Sequence, residues 1–284
     1  MTDQPNRTSP LPPASVLAAF GVRGDPVPLP GGQGRSVRVD GYVFKPAGPD
    51  EDESEWAASL LESLSPGEGF RVPPPLRTAQ GHSVVDGWTA ARFLPGEPGP
   101  QGHWAGVLDA GRAFHAALRG APRPAFLDRR THPWAVADRV AWGEQDVEVI
   151  EELAAPFATL LRLRRPVPQD GAQLVHGDLT GNVLFAPGEP PVVIDFSPYW
   201  RPPLFAEAVV VVDGLLWFDP PPGLLTSASG HPHWRQMLIR ALIFRLVAYS
   251  GIAGPSVKDR ARERERYVRA TRAVVDRLRP GTSG

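Results

Sequence analysis

The stretch that decides the fold runs from Leu174 to Phe185 and reads Leu-Val-His-Gly-Asp-Leu-Thr-Gly-Asn-Val-Leu-Phe. It places Asp178 and Asn182 between two apolar runs, each of which is typical of a buried strand. A third apolar run, 192–194, is followed at once by Asp195. Buried carboxylates are unfavourable unless they are paired, hydrogen-bonded or bound to a cation. Two carboxylates and one amide on neighbouring loops supply the oxygen ligands that suit Mg²⁺.

The motif from His176 to Asn182, followed by Ile194-Asp195-Phe196, resembles the catalytic and metal-binding loops of the aminoglycoside phosphotransferase and choline kinase-like family. The resemblance implies an α+β protein kinase-like fold with two lobes, a small β-rich N-terminal lobe and a larger helical C-terminal lobe. It also implies an activity, the ATP- and Mg²⁺-dependent transfer of the γ-phosphoryl group to a hydroxyl of a small molecule.

The same resemblance assigns roles to the residues of the motif. Asp178 is the catalytic base, which orients the acceptor hydroxyl or accepts its proton. Asn182 and Asp195 hold Mg²⁺ on the nucleotide phosphates, and His176 braces the loop. The alternative is ordinary turn chemistry, since Asp and Asn favour turns. The His-Gly-Asp sequence and its apolar flanks favour the kinase interpretation.

The N-terminal third contains a second candidate site, for the nucleotide phosphates. A glycine loop precedes two alternating runs that are joined by the turn Asp40-Gly41, a strong hairpin signal. Kinase small lobes use such a loop so that backbone N–H groups can approach phosphates. A plain hairpin turn explains the glycines equally well. The predicted phosphate-binding glycines are Gly31, Gly32 and Gly34.

Lys45 falls on the predicted third strand, where kinases place the lysine that binds the α- and β-phosphates. Only Lys45 and Lys258 among the 30 basic residues are lysine, which makes this position informative. An ammonium group is a compact point charge, whereas a guanidinium fork is wider. The expected helix partner of Lys45 is Glu53, with Glu55 and Glu62 as alternatives.

Two further groups complete the predicted site. Phe93 and Leu94, before the break at Pro95-Gly96, resemble the hinge that holds adenine by backbone hydrogen bonds. Asp213 is a candidate to anchor the catalytic-loop backbone. Few acids, Glu207 and Asp213, lie near the expected acceptor pocket, and aromatic residues together with Arg201 are more evident there. This composition disfavours a polycationic aminoglycoside and favours a neutral or anionic acceptor. The residues expected to line that pocket are Tyr199, Trp200 and Arg201.

Pattern and composition divide the chain into a tail at 1–11 that is expected to be disordered, a nucleotide-binding lobe at 12–96 and a catalytic and acceptor-binding lobe at 97–284. A long strand is predicted at 83–94, and a long loop is predicted at 121–145. Helices are predicted at 12–20, 53–64, 103–118, 147–163, 206–217, 234–249 and 256–278.

Composition narrows the function classes. The 284 residues carry a formal net charge of −1, which argues against a nucleic-acid partner. The chain has no cysteine, which excludes disulfides, thiolate catalysis and cysteine-ligated zinc. No signal peptide and no membrane-spanning run are predicted, so a cytoplasmic location without a membrane partner is expected. The oligomeric state is left open.

Two other functions remain open at this stage. A nucleotide-binding pseudokinase or regulatory protein would gain thermal stability from ATP and Mg²⁺ but form no product. An interaction protein that docks through the charged stretch 258–269 would be indifferent to Asp178→Asn and Lys45→Ala.

Overall fold

The computed structural model describes residues 11–30, 34–48, 50–64, 69–168, 171–252 and 257–277. The chain forms two compact units, one made of residues up to 98 together with 184–194, the other of 99–183 together with 195 onward. The tail predicted for residues 1–11 lies, apart from Leu11, outside the described residues. The α+β class expected from the sequence is confirmed.

Strands and helices occur in both units. The strands are β1 (Val27–Pro28), β2 (Val37–Val39), β3 (Tyr42–Pro46), β4 (Val84–Val85), β5 (Trp88–Arg92), β6 (Glu97–Pro98), β7 (Gln173–His176), β8 (Val183–Phe185), β9 (Val192–Val193) and β10 (Pro198–Arg201). The helices are α1 (Ala14–Ala19), α2 (Glu51–Ser63), α3 (Trp104–Ala117), α4 (Phe126–Arg129), α5 (Pro133–Trp142), α6 (Glu151–Leu163), α7 (Pro203–Trp217), α8 (Trp234–Gly251) and α9 (Val257–Arg277).

The first unit is built on a five-stranded antiparallel sheet in the order β1-β2-β3-β5-β4. The predicted turn at Asp40-Gly41 is confirmed, because Val39 pairs with Tyr42 across it and Asp40 has a left-handed φ of 53°. Phe44 on β3 is fully buried, in edge-to-face contact with Phe20. Side chains alternate along a strand, so Lys45 points away from this core.

The prediction of a single strand at 83–94 is wrong. The segment folds back on itself as a hairpin, with Val85 paired to Trp88 across Asp86-Gly87. The physical reason is a second Asp-Gly turn, in which Asp86 and Gly87 both have positive φ, at 46° and 72°. A three-stranded sheet in the order β6-β8-β9 also forms, and Arg71 bridges to Val192 beside it.

The second unit is mainly helical. Helices α7 and α8 are buried around most of their circumference, which explains their long apolar runs. The prediction of a long loop at 121–145 is wrong, since this segment contains α4 and α5. Start and stop signals explain α5: His132 Nδ1 accepts a hydrogen bond from Ala135 N–H, Pro133 occupies the first turn, and Gly143 ends the helix at φ 79°.

Strand β10 was not predicted, because 198–203 contains three prolines. It nevertheless pairs antiparallel with β7, with Pro198 opposite His176 and Tyr199 opposite Val175. Proline is tolerated at the first residue of a strand. Within the described ranges, no helix combines the length and apolarity needed to cross a membrane.

Candidate active site

The catalytic loop predicted from the sequence leaves the end of β7 in the second unit. Gly177 N–H donates to the carbonyl of Ser197 at 3.0 Å, which ties the start of the loop to the segment after Asp195. Asn182 N–H donates to the carbonyl of Leu179 at 3.0 Å, which closes the loop into a turn. The loop therefore holds Asp178 between two fixed ends.

Asn182 is bonded to Asp178 in two ways. Its Nδ2 donates to the backbone carbonyl of Asp178 at 2.6 Å and approaches the carboxylate Oδ2 at 3.3 Å. The amide nitrogen is thus turned toward Asp178, so Oδ1 is the Asn182 atom suited to a cation. The Asp178 side chain is 45% exposed and accessible to a substrate.

His176 lies beneath this loop, fully buried. Its Nδ1 accepts a hydrogen bond from Asp178 N–H at 3.1 Å, and its ring meets Phe114 and Phe196 edge-on. His115 Nε2 in turn accepts from His176 N–H at 3.0 Å. Burial, with a contribution from His176, lowers the pKa of His115 to about 3, so His115 is neutral at physiological pH. This geometry suits the bracing role expected of His176.

Gly177 is required by a close approach of Tyr199. A Cβ atom at this position would lie 2.4 Å from Tyr199 Cδ2 and 2.5 Å from Cε2. The Tyr199 ring is buried and lies edge-on to Phe244 at 5.6 Å, so it has little room to move. The glycine of His-Gly-Asp therefore lets the ring support the loop.

Asp195 has a left-handed backbone, with φ 51°. Such a conformation is strained for a non-glycine residue and is concentrated at functional sites. Ser197 follows two residues later and accepts the Gly177 hydrogen bond. The second unit therefore brings Asp195 to the same end of the β7–β10 ladder as the loop that carries Asp178 and Asn182.

The donor set fits a hard divalent cation. Asn182 and Asp195 offer only oxygen ligands, and Mg²⁺ is usually bound through one or two carboxylates together with phosphates and water. In the described part of the chain, no cluster of three or more His, Cys or acidic residues is arranged to hold a metal alone. A cation held by Asn182 and Asp195 would take its further ligands from phosphate oxygens or water.

The structure adds Arg245, on α8, to the site. Its Nη2 donates to Asp178 Oδ1 at 2.7 Å and it is also bonded to Asp213. The Asp213 side chain accepts two hydrogen bonds from Arg245 and also interacts with the Thr180 side chain of the loop, so it meets the loop through the guanidinium and through Thr180. An arginine inside the apolar run 241–248 was the available sequence signal.

The three predicted acceptor residues line one cavity of about 330 Å³ in the second unit. Arg201 is not available there as an isolated cation. Its guanidinium is bonded to Asp138 at 2.7 Å and to Glu144 at 2.7 Å. Burial lowers the pKa of Arg201, but its two acidic partners raise it by more, so the net effect is a raised pKa. The guanidinium is therefore charged, and its charge is balanced by Asp138 and Glu144. The expectation that Arg201 favours an anion therefore loses its support.

The formal charges around this cavity nearly cancel. Four arginines and three acids line it: Arg123, Arg130, Arg139, Arg201, Asp128, Asp138 and Glu144. The ring of Tyr199 belongs to the same lining and also packs on Gly177, the residue before Asp178. The cavity therefore adjoins the wall of the catalytic loop.

In the first unit, two of the three candidate partners for Lys45 are bonded elsewhere. Glu55 accepts hydrogen bonds from Ser83 N–H at 2.8 Å and Ser83 Oγ at 2.6 Å. Burial raises the pKa of Glu55, but these bonds and Arg77 lower it overall. Glu62 is bonded to Arg77 at 2.7 Å. Glu53 stands at the third position of α2, where its N–H faces the capping carboxylate of Asp50 at 3.4 Å.

The remaining nucleotide-site predictions fall partly outside the described residues. Gly31 and Gly32 lie outside them, while Gly34 is described and has a left-handed φ of 66°. Phe93 N–H donates to the carbonyl of Gly41 at 2.8 Å, and the Arg38 guanidinium lies 4.2 Å above the Phe93 ring. Leu94 is half-buried.

Solved structures that match this fold include small-molecule kinases and phosphotransferases. The microcompartment-associated aminopropanol kinase is 18% identical, with a TM-score of 0.65 over 93% of this chain and 97% of that chain. An aminoglycoside phosphotransferase from Alicyclobacillus acidocaldarius is 16% identical, with a TM-score of 0.60 over 95% and 96%. No family model and no curated protein matches the sequence.

A thermostable aminoglycoside phosphotransferase variant, in ternary complex with AMP-PNP and hygromycin B, is 17% identical, with a TM-score of 0.58 over 94% of this chain and 97% of that chain. At such identities the similarity establishes the fold. The resemblance seen in the motif and the bilobal protein kinase-like fold are thereby confirmed.

Proposed function

We propose that this protein transfers the γ-phosphoryl group of ATP to a hydroxyl of a small molecule. The observation that carries the proposal is the loop after β7, where Asp178 presents a half-exposed carboxylate and Asn182 is bonded to it. The segment at Asp195, with its left-handed backbone, is tied to the same loop. The kinase fold supports the proposal, because structures of that fold include complexes with ADP and AMP-PNP.

Catalysis in this reaction type consists mostly of positioning and electrostatic stabilisation. Asp178 Oδ2 aligns the acceptor hydroxyl and can take its proton as the phosphoryl group leaves ATP. His176 holds the backbone of Asp178 from below. Asn182 Oδ1 and the Asp195 carboxylate would hold Mg²⁺. When bound, Mg²⁺ neutralises charge on the transferring phosphoryl group.

The nucleotide roles are assigned to the first unit. Lys45 is proposed to contact the α- and β-phosphates, with Glu53 as its helix partner. Phe93 and Leu94 are proposed to contact adenine. The glycines of the phosphate loop are Gly31, Gly32 and Gly34.

The acceptor is proposed to bind in the cavity of the second unit and to be neutral or anionic. Its lining carries one more basic than acidic residue, so a polycation would gain no net attraction from it. Its volume of about 330 Å³ lies at the lower end of the range typical of small-molecule sites. Tyr199 and Trp200 add aromatic surface, against which an apolar part of the acceptor can pack.

The test is an ADP-release screen with ATP and Mg²⁺ across neutral, anionic and polycationic hydroxyl compounds, with the product confirmed by mass spectrometry. Asp178→Asn keeps the size of the side chain and removes its charge, so kcat should fall about a thousandfold. Asp109→Asn, on the exposed face of α3, is the matched control and should retain wild-type kcat.

Each outcome bears on a separate part of the proposal. Robust turnover of a polycationic aminoglycoside would contradict the proposed acceptor class but not the reaction. Thermal stabilisation by ATP and Mg²⁺ with no phosphorylated product from any acceptor would replace the enzyme by a nucleotide-binding regulatory protein.

A further inference from the structure

We propose that Arg245 is a positioning residue for the catalytic carboxylate: anchored by Asp213 in the core of the second unit, its guanidinium sets the orientation of Asp178. This inference rests on the phosphotransferase function proposed above. It adds a residue 67 positions from Asp178, on a helix that the sequence motif does not include.

The guanidinium bridges a buried carboxylate and a half-exposed one. Arg245 Nε donates to Asp213 Oδ1 at 2.6 Å, and Nη2 donates to Asp213 Oδ2 at 2.6 Å and to Asp178 Oδ1. Side-chain exposure is 2% at Asp213, 3% at Arg245 and 45% at Asp178. The contacts therefore run from the interior of the unit to the exposed loop.

The buried part of this bridge is rigid. Arg245 lies on α8 and Asp213 on α7, two long helices of the core, and their pair has the two-point geometry that fixes a guanidinium plane. The rings of Trp134 and Phe244 lie 5.3 Å from the guanidinium carbon, and that of Trp217 lies 5.9 Å away. The position of Oδ1 of Asp178 is therefore set by the helical core.

The division of hydrogen bonds preserves the function of Asp178. Asp213 takes two of the three bonds, so Asp178 is held at one oxygen, while Asn182 Nδ2 approaches the other at 3.3 Å. One cation is thus shared by two carboxylates, and Asp178 keeps one oxygen that Arg245 does not contact. The loop 176–182 itself contains no lysine or arginine that could do this.

Protonation favours the same arrangement. Burial lowers the pKa of Arg245, but the charges and hydrogen bonds of Asp213 and Asp178 raise it by more, so the net effect is a raised pKa. The guanidinium of Arg245 therefore stays charged and keeps its donors available to both carboxylates.

The experiment compares variants that remove the bridge with one that changes an equally buried arginine. The double variant Asp213→Asn/Arg245→Gln replaces the buried ion pair by two neutral groups, so no buried charge is left without a partner. Arg245→Lys keeps the charge but loses the fork. Arg240→Lys is the matched control, because Arg240 lies on the same helix, is also 3% exposed, and is bonded to the Arg165 carbonyl at 2.7 Å.

We expect the double variant to lower kcat about a hundredfold, because a displacement of about 1 Å has that effect on catalysis. The KM for ATP should stay within about threefold, since a change that spares nucleotide binding leaves KM unaltered. Arg245→Lys should retain a larger part of kcat than the double variant, and Arg240→Lys should retain wild-type kcat. Wild-type kcat in the double variant, or an equal loss in Arg240→Lys, would overturn the proposal.

Amide hydrogen exchange decides the question without turnover. Faster exchange confined to residues 176–182 in the double variant supports the positioning role, and unchanged exchange there overturns it. A wild-type chain that phosphorylates no acceptor would refute the proposed function, while this exchange measurement would still decide on Arg245.

Discussion

Substituting Gly177 by alanine tests whether the Tyr199 ring supports the catalytic loop. The added Cβ would lie 2.4 Å from one ring carbon and 2.5 Å from another. Gly177 does not have a left-handed φ, so alanine is compatible with its backbone and the effect isolates the clash. Overpacking a rigid site costs about 1–3 kcal/mol. A cost of about 2 kcal/mol lowers Tm by about 4–8 °C in a domain of this size.

The assay is thermal and urea unfolding of four proteins: wild type, Gly177→Ala, Tyr199→Ala and the double variant. Removing the ring removes the clash, so Gly177→Ala should cost less than about 0.5 kcal/mol in the Tyr199→Ala background. Gly230→Ala is the control, because nothing lies within 4 Å of a Cβ at that position. An equal cost of Gly177→Ala in both backgrounds would refute the packing argument.

Two further predictions concern buried charge. Because the pKa of His115 is about 3 when folded and 6.5 when unfolded, the unfolded chain binds a proton first as pH falls below 6.5. Stability should therefore drop by up to about 1.4 kcal/mol per pH unit, and His115→Gln, which can still accept the His176 N–H bond, should flatten this slope in urea unfolding at pH 5 and 7. Arg201→Met should lower the free energy of unfolding by about 3–5 kcal/mol, because it leaves Asp138 buried beside Glu144 without a cation. A loss below about 1 kcal/mol in urea unfolding would show that this ion pair does not stabilise the fold.

The resemblance of the motif implied the fold class, and the elements around the motif could be predicted because their signals are local. The apolar flanks of Asp178 and the turn at Asp40-Gly41 are patterns within a dozen residues, and the structure forms strands and a hairpin there. The same turn signal occurs at Asp86-Gly87, but the apolar residues on both sides also fit one strand, and the structure forms a hairpin there instead. The Asp-Gly turn signal therefore predicts a hairpin correctly at both Asp40-Gly41 and Asp86-Gly87.

The part of the site that could not be predicted depends on contacts between distant segments. Arg245 meets Asp178 across 67 residues and Asp213 across 32. Nothing in a single sequence pairs one arginine with one aspartate when the chain has 28 arginines among its 30 basic residues. The signal available was energetic: a guanidinium in an apolar helix must have a partner.

The number of acidic residues near the proposed acceptor site does not by itself determine the charge of the acceptor, because those acids can be paired with arginines. Glu207 and Asp213 were the acids expected near the acceptor, and both are buried on α7. Glu207 is bonded to Arg112 at 2.6 Å, and Asp213 is bonded to Arg245. Neither carboxylate presents an uncompensated charge to a ligand, so an acceptor in the proposed cavity would meet the charges of the cavity lining. Acceptor preference should therefore follow substitutions at that lining, such as Asp128→Asn, and not substitutions on α7.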